Sequence, residues 1–319
     1  MWSGRARLGH GKGSYTFEMV ERCEEWVLAA PVPALRPFIE GYCGYRLTGF
    51  PPGLHRGLPS RHMTFIVSIG DDIDVVAQTD PAQSPQTYGC VLSGLQASSA
   101  LISHSGDQEG VAVELTPLGS RALFGMPAGE LWNLSVELGD VVGATGRELW
   151  ERLQRTVGWE ERFAVCDAVL GRLAGDGAPA PELRFAWETV VASRGEVSVR
   201  DLADDSGWSR QHLARRFRSE FGLTPKLAAR VVRFERAQRM LRRSPPFVSI
   251  AQVAAVCGYY DQSHLTRDFV ALAGCTPTEL LAGDVPSVQD SAGGAGASSR
   301  YGRNQHDNDN DRLAVPHLP

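Results

Sequence analysis

Apolar and polar positions change texture twice along the chain. Over 15–115 the apolar residues come in short runs: Thr64-Phe65-Ile66-Val67-Ser68-Ile69, Asp74-Val75-Val76-Ala77, Gly89-Cys90-Val91-Leu92, Ala100-Leu101-Ile102-Ser103 and Val111-Ala112-Val113-Glu114-Leu115. Each has the length of a strand. Gly, Pro, Asp and Ser clusters separate them, a spacing that predicts a sandwich or small barrel. Residues 34–42, after Pro33, predict a short helix within this region. Past Pro117 the period becomes helical, over 118–124, 147–157 and 159–173. In the last stretch Phe163, Cys166, Val169, Leu170 and Leu173 fall on one face. Gly175-Asp176-Gly177-Ala178-Pro179-Ala180-Pro181 is a linker by composition. Helices joined by short turns follow over 182–283. Small and polar residues dominate 1–14 and 284–319, which lack the apolar surface to fold, so disorder is expected there.

The helical C-terminal region contains a repeat, and the repeat carries the main signal. The segment from Ser198 to Pro225 resembles that from Ser249 to Pro277 at an offset of 51 residues, which becomes 52 beyond the turn because the second copy holds one extra residue there. Ten pairs are identical, among them Gly207/Gly258, His212/His264, Leu213/Leu265, Arg215/Arg267 and Phe217/Phe269. Each copy reads as a helix-turn-helix unit. Leu202 and Ala203, or Val253 and Ala254, lie on the inner face of a first helix. Gly207 or Gly258 ends it, because glycine readily takes the left-handed conformation of a helix C-terminus. Trp208 or Tyr259 fills the corner. Ser209 or Asp261 then caps a second helix, its side-chain oxygen accepting an otherwise unpaired backbone N–H. Leu213 and Phe217, or Leu265 and Phe269, turn that helix into the core.

The exposed stripe of the second helix bears the candidate chemistry. Gln211, Arg215 and Arg218 are spaced four and three apart, opposite Leu213 and Phe217. Gln and Arg have forked hydrogen-bonding groups that can read adenine and guanine edges in the major groove. The equivalent positions of the second unit are Ser263 and Arg267, flanked by Gln262 and His264. A long helix over 226–242 joins the units, its buried stripe marked by Leu227, Val231, Phe234, Ala237 or Gln238, and Leu241. Arg230, Arg233, Arg236 and Arg239 populate the rest, and Ser244-Pro245-Pro246 stops it. Its rigidity sets the separation of two probes whose grooves, on one face of a duplex, lie about 34 Å apart.

Charge supports a polyanionic partner for this region. Residues 183–283 hold 15 Lys and Arg against 10 Asp and Glu, while the remainder holds 17 against 27, within a chain of net charge −5. The acidic N-terminal half is therefore expected to stay off DNA. In the first recognition helix Arg210, Arg215, Arg216 and Arg218 are available. In the second Arg267 is offset by Asp268, so phosphate neutralisation is expected to lie mainly with the first unit.

With this much in hand, the string Gly258-Tyr259-Tyr260-Asp261-Gln262-Ser263-His264-Leu265-Thr266-Arg267-Asp268-Phe269, followed by Gly274-Cys275-Thr276-Pro277, resembles the signature of the AraC/XylS family of bacterial transcription regulators. The likeness covers about 183–283. It implies two helix-turn-helix units contacting one face of DNA. By position the base-contact candidates are Gln211 and Arg215 in the first unit and Gln262, Ser263 and Arg267 in the second. Ala214 stands where the family often carries a longer side chain, so that contact is absent here. The strings Pro33-Ala34-Leu35-Arg36-Pro37-Phe38 and Val113-Glu114-Leu115-Thr116-Pro117-Leu118-Gly119-Ser120-Arg121-Ala122-Leu123 resemble the sensor half of a subset of these regulators. That likeness implies a cupin-like β domain followed by dimerising helices.

The expected fold class is thus α+β. A β-rich, cupin-like sensor or dimerisation domain occupies 15–125, a helical connector 126–175 and a linker 176–182. An all-α double helix-turn-helix DNA-binding domain fills 183–283. Double-stranded promoter or operator DNA is the expected partner, with room for RNA polymerase, a small-molecule effector and a second copy of the chain. No cofactor is expected. No metal is either, since His55, His62 and His104 show no H-x-H with a following Glu. No apolar run reaches the roughly 18 residues of a membrane span, and Met1 to Ser14 lacks the apolar stretch of a secretory signal, so the cytoplasm is expected. The six scattered cysteines, without C-x-x-C, agree with a reducing compartment.

The rival class is an enzyme or DNA-repair alkyl transferase fused to the same DNA-binding domain. It requires a reactive Cys in a recognisable setting, and none of the six stands in one. The N-terminal half shows no Ser-His-Asp order, paired carboxylate motif or phosphate-binding glycine loop. Glu114 and Asp74 read as the exposed faces of their strands, and no catalytic residue is assigned.

Overall fold

The computed structural model describes residues 22–243 and 248–283, together with the backbone of two short strands, β1 (Arg5–Ala6) and β2 (Phe17–Glu18), which pair antiparallel. Apart from Arg5–Ala6, the segments expected to be disordered, 1–14 and 284–319, lie outside the described residues, as does the Ser244-Pro245-Pro246 turn.

The fold is α+β, with two antiparallel sheets in the N-terminal half and helices after them. The six-stranded sheet runs in the order β12 (Ser135–Glu137), β9 (Cys90–Ser93), β6 (Thr64–Ser68), β11 (Gln108–Leu115), β4 (Ile39–Thr48), β3 (Cys23–Ala29). The four-stranded sheet runs β5 (Gly53–Gly57), β10 (Ala100–His104), β7 (Ile73–Ala77), β8 (Gln86–Tyr88).

Both faces of the larger sheet are covered, and the period of two along its strands shows how. On β6, Phe65 and Val67 turn into the main core while Ile66 turns toward the smaller sheet; on β9, Cys90 and Leu92 go one way and Val91 the other. A strand apolar on both faces reads as a continuous run rather than an alternation. This is why β6, β9 and β11, all in the larger sheet, are legible in the sequence.

Residues 34–42 differ from expectation. Pro33–Leu35 forms a 3-10 turn, and β4 begins at Ile39. Leu35 and Ile39 are fully buried. Pairing of β4 with β3 on one side and β11 on the other outweighs the helical spacing. Gly44, in mid-strand, is needed there: a Cβ would lie 2.5 Å from the Trp159 ring. Glu114 and Asp74 also differ. Glu114 faces the C-terminal half across a cavity shared with Glu235 and Gln238, and Asp74 lines the mouth of an intersheet cavity.

The helices are α1 (Ser120–Phe124), α2 (Leu138–Val142), α3 (Ala144–Arg155), α4 (Trp159–Leu173), α5 (Pro181–Ala192), α6 (Val199–Ser206), α7 (Arg210–Phe221), α8 (Pro225–Arg243), α9 (Ile250–Val256), α10 (Gln262–Ala273) and α11 (Pro277–Leu281). One hydrophobic core runs from Phe65 and Val113 on the sheet through Phe163 and Val169 on α4 to Leu183, Trp187 and Phe217 on α5 and α7. A second core, around Phe234, Leu265 and Phe269, includes Leu58 from the β-rich half. The sheet also takes β12 from beyond residue 125, and Gly175 in the linker donates to the carbonyl of Ala122 at 3.0 Å.

Candidate nucleic-acid interface

The two units are built alike from their caps inward. Ser198 Oγ accepts from the N–H of Asp201 and opens α6, which ends on Gly207 at φ 70. Ser209 Oγ accepts from the N–H of His212 at 3.2 Å and opens α7. In the second unit Ser249 and Gln252 exchange both bonds of a capping box at the start of α9. Gly258 turns the chain at φ 75, and Asp261 accepts from the N–H of His264 at 2.6 Å to open α10. Leu213, Phe217, Leu265 and Phe269 are fully buried, so the opposite stripe faces solvent.

On that stripe Arg210, Gln211, Arg215, Arg216 and Arg218 are exposed on α7, and Gln262, Ser263 and Arg267 on α10. Arg215 lies 3.3 Å from His212 Nδ1, and Arg267 Nε donates to the carbonyl of Ser263 at 3.3 Å. The two histidines also pack at the corners of their units. His212 packs edge-on against Trp208 at 4.7 Å and His264 against Tyr259 at 5.2 Å. His264 Nδ1 also accepts from the N–H of Tyr260. The repeated histidine thus braces the corner of each unit.

Two charge assignments change. Asp268 does not offset Arg267. It is only 4% exposed and accepts from Arg230 Nε and Nη2 at 3.2 and 2.7 Å, on the inner side of α10. The α8 arginines are braces rather than a free basic face. Arg230 holds Asp268, Arg233 lies over the Tyr259 ring, Arg236 pairs with Glu196 and Arg239 with Glu235. The connecting helix is thereby fastened to the second unit and to the turn that precedes the first.

The ends of the recognition helices were not legible in the sequence. The C-terminal end of α7 sits on the 3-10 turn Ala128–Leu131, where a Cβ on Gly129 would lie 2.7 Å from the carbonyl oxygen of Ser219. Arg121 on α1 grips Glu220, itself 5% exposed, through Nε and Nη2 at 2.7 and 2.9 Å. The C-terminal end of α10 is held in the same way: Ser99 Oγ donates to the carbonyl of Ala273 at 2.9 Å. Both helices are thus anchored to the β-rich half at their C-terminal ends. A recognition helix enters the groove with its N-terminal residues, and these are the ends left open.

A polar seam joins the halves beside α8. Arg61 Nη2 and His62 Nε2 meet Glu40 Oε2 at 2.7 and 3.1 Å, and the N–H of Arg61 donates to Glu235 at 3.2 Å. Burial pushes the Glu40 carboxyl up, but His62 and Arg61 outweigh it and hold the group at about 2. Burial, Glu40 and Glu235 push Glu114 the other way, upward, against His62 and Arg61. The buried thiols are not activated. Cys43, Cys90, Cys166 and Cys257 are buried, and burial raises Cys43 and Cys166 to about 12. Among the described residues no group of three His, Cys, Asp or Glu is arranged to hold a metal ion, and no helix is long and apolar enough to cross a membrane.

Residues 202–283 match the family described as a helix-turn-helix domain, and 28–137 match a domain of unknown function, DUF6597. Over 88 residues the chain is 31% identical to an uncharacterized HTH-type transcriptional regulator, YbfI, of Bacillus subtilis (strain 168). The match covers 27% of this chain and 31% of that one, so the chain spans about a third of the length of that relative. Among solved structures, ToxT from Vibrio cholerae O395 aligns with a TM-score of 0.45 at 13% identity, covering 76% of this chain and 96% of that one. The DNA-binding domain of AdpA, in complex with a target DNA, aligns with a TM-score of 0.30 at 28% identity, over 32% of this chain and 92% of that one. Taken with the duplicated units and their caps, the C-terminal region is a DNA-binding helix-turn-helix domain. Residues 202–283 form a helix-turn-helix domain of the AraC type.

Proposed function

We propose that the protein is a sequence-specific transcription regulator in which α7 and α10 enter successive major grooves of promoter or operator DNA. Arg215 with Gln211, and Arg267 with Gln262 and Ser263, contact base edges. Arg210, Arg216 and Arg218 neutralise phosphates, and His264 supports the second helix from the corner. The β-rich half senses an effector, and its helices join two copies of the chain. RNA polymerase is the partner once DNA is bound. The protein acts in the cytoplasm and catalyses no reaction.

The observation that carries this reading is the shared anchorage. Both recognition helices are fixed at their C-terminal ends and offer Gln, Ser and Arg at their open ends. The first recognition helix presents four exposed guanidinium groups and the second one, so phosphate-derived affinity lies mainly with the first. Arg215→Ala is expected to weaken specific binding by about 1–3 kcal/mol, and more than Arg267→Ala does. Gel-shift titrations of the full chain on its own promoter DNA, at one fixed salt concentration, test both statements. Equal or reversed losses refute the ranking, and a chain that retards no promoter DNA refutes the function.

A further inference from the structure

Between the two sheets lies a cavity of about 360 Å³ that no DNA-binding role accounts for. Its rim is acidic. Asp71, Asp72, Asp74 and Asp107 line it with Glu109. Glu109 is taken up by Arg46 and Arg162, at 2.9 and 2.6 Å. Among the described residues no ion pair takes up the four aspartates. Ile66, Ile73 and Ile102 form an apolar wall that continues into a deeper space past Val75 and Val91.

A ring of surface aspartates would by itself be a solvated lip. The imidazoles beside it make the difference. His55 on β5 and His104 on β10 both line the cavity, with ring centroids 5.6 Å apart. His104 is 9% exposed, and neither of its ring nitrogens has a hydrogen-bond partner; nor has Nδ1 of His55. Buried polar groups are ordinarily paired. Burial pushes both rings down, His55 to about 4 with His104 adding to the effect, so both are neutral near pH 7 and each keeps an acceptor lone pair. Three of the aspartates accept hydrogen bonds from neutral donors, Asp107 from the N–H of Gly49, Asp71 from Ser105 Oγ and Asp74 from Thr87 Oγ1, which leaves their charge unmatched. Carboxylates without a paired cation, acceptor nitrogens and an aliphatic wall together match a cationic N–H donor on an apolar body.

The same strand connects this cavity to DNA-reading machinery. β5 is an edge strand paired only with β10. Its side chains alternate, so His55 faces the cavity while Arg56 reaches the second unit. Arg56 Nη1 bonds Ser99 Oγ, which donates to Ala273 at the end of α10. A Cβ at Gly274 would lie 3.3 Å from the Arg56 guanidinium. A ligand that draws His55 into a hydrogen bond therefore pulls on the strand that anchors α10.

We propose that the intersheet cavity is the effector site, and that its ligand is an organic primary amine, bound as the ammonium with its apolar portion against Ile66, Ile73 and Ile102. This rests on the regulator reading above and names the chemistry of its effector. The test titrates the full chain, without DNA, with 2-phenylethylamine and separately with 3-phenylpropanoate, by calorimetry. The amine is expected to bind at one site per chain, and the carboxylate about ten-fold or more weaker because it meets like charge. The Asp71→Asn, Asp74→Asn double variant is expected to lose about ten-fold in amine affinity while a thermal melt shows it folded. Failure of 2-phenylethylamine to bind, or equal binding of the carboxylate, overturns the proposal, as does an unaffected double variant. A gel shift with the same preparation separates the two readings. A chain that binds DNA but ignores amines refutes the site. One that binds the amine but no DNA keeps the site and refutes the regulator. Binding both with no change in DNA affinity on adding amine refutes the effector role.

Discussion

Asp268 follows Arg267 in the chain and faces almost the opposite way. The signal for this was present: Asp268 lies three residues after Leu265 and next to Phe269, on the face that packs inward. Its partner Arg230, 38 residues away on another helix, could not be inferred from spacing. The pair behaves as one unit. Removing Arg230 leaves a carboxylate buried without its cation, which is strongly destabilising. Because the Arg230 side chain is 33% exposed, solvent recovers part of the loss. Arg230→Ala is expected to cost about 2–3 kcal/mol in urea unfolding, and Asp268→Asn about 1–2 kcal/mol. The double variant should fall short of their sum by about 1 kcal/mol. Strict additivity would show that the two residues act independently.

At the scale of elements, what could be read depended on whether a neighbour was near in sequence. Caps, the turn glycines and the bounds of α4 are local, and the sequence supports them directly. Strands buried on both faces announce themselves as apolar runs. β3 carries Glu24 and Glu25 and lies at a sheet edge, and β5 is Gly-Leu-His-Arg-Gly; neither has a strand's pattern. Each is a strand because a partner strand supplies its hydrogen bonds. The seating of α7 is also non-local. It depends on Gly129, where a Cβ would meet backbone atoms of Ser219, Gly222 and Arg218 at 2.7, 3.0 and 3.2 Å. Backbone at a helix end cannot retreat as a flexible side chain does. Gly129→Ala is therefore expected to cost about 1–3 kcal/mol by overpacking. It should also lift α7 from the β-rich half, so that limited proteolysis cuts the exposed 175–178 segment faster than in the parent. An alanine variant as stable and as resistant as the parent would show that the turn gives way without disturbing the helix.

For the whole molecule, the two halves share their interior rather than hanging on a linker. The first unit completes the core of the sheet, and Leu58 enters the core of the second. Packed surfaces therefore connect the β-rich half to both recognition helices. The polar seam gives this union a pH dependence. Glu40, held at about 2 by His62 and Arg61, is ionised more readily in the folded chain than in the unfolded one. Its contribution to stability is fully present above the unfolded value of 4.5 and is lost as pH falls through about 2. Glu114, raised by burial, works in the opposite sense: the folded chain holds its proton longer, so its contribution fades as pH rises through the folded value. Glu40→Gln removes the first effect and weakens the second, which burial, the largest cause, still maintains. The parent should lose melting temperature more steeply than Glu40→Gln between pH 4.5 and 2, and the two curves should run parallel above pH 6. Because the seam ties β4 to α8, tryptophan fluorescence from Trp159, on α4 against Gly44 of β4, and from Trp208 in the first unit should change together along the acid transition. The chain holds seven tryptophans, so the difference between the parent and each single Trp→Phe variant gives the signal of the residue replaced. Parallel slopes across the whole acid range, or separate midpoints for the two tryptophans, would show that the halves are not joined through Glu40.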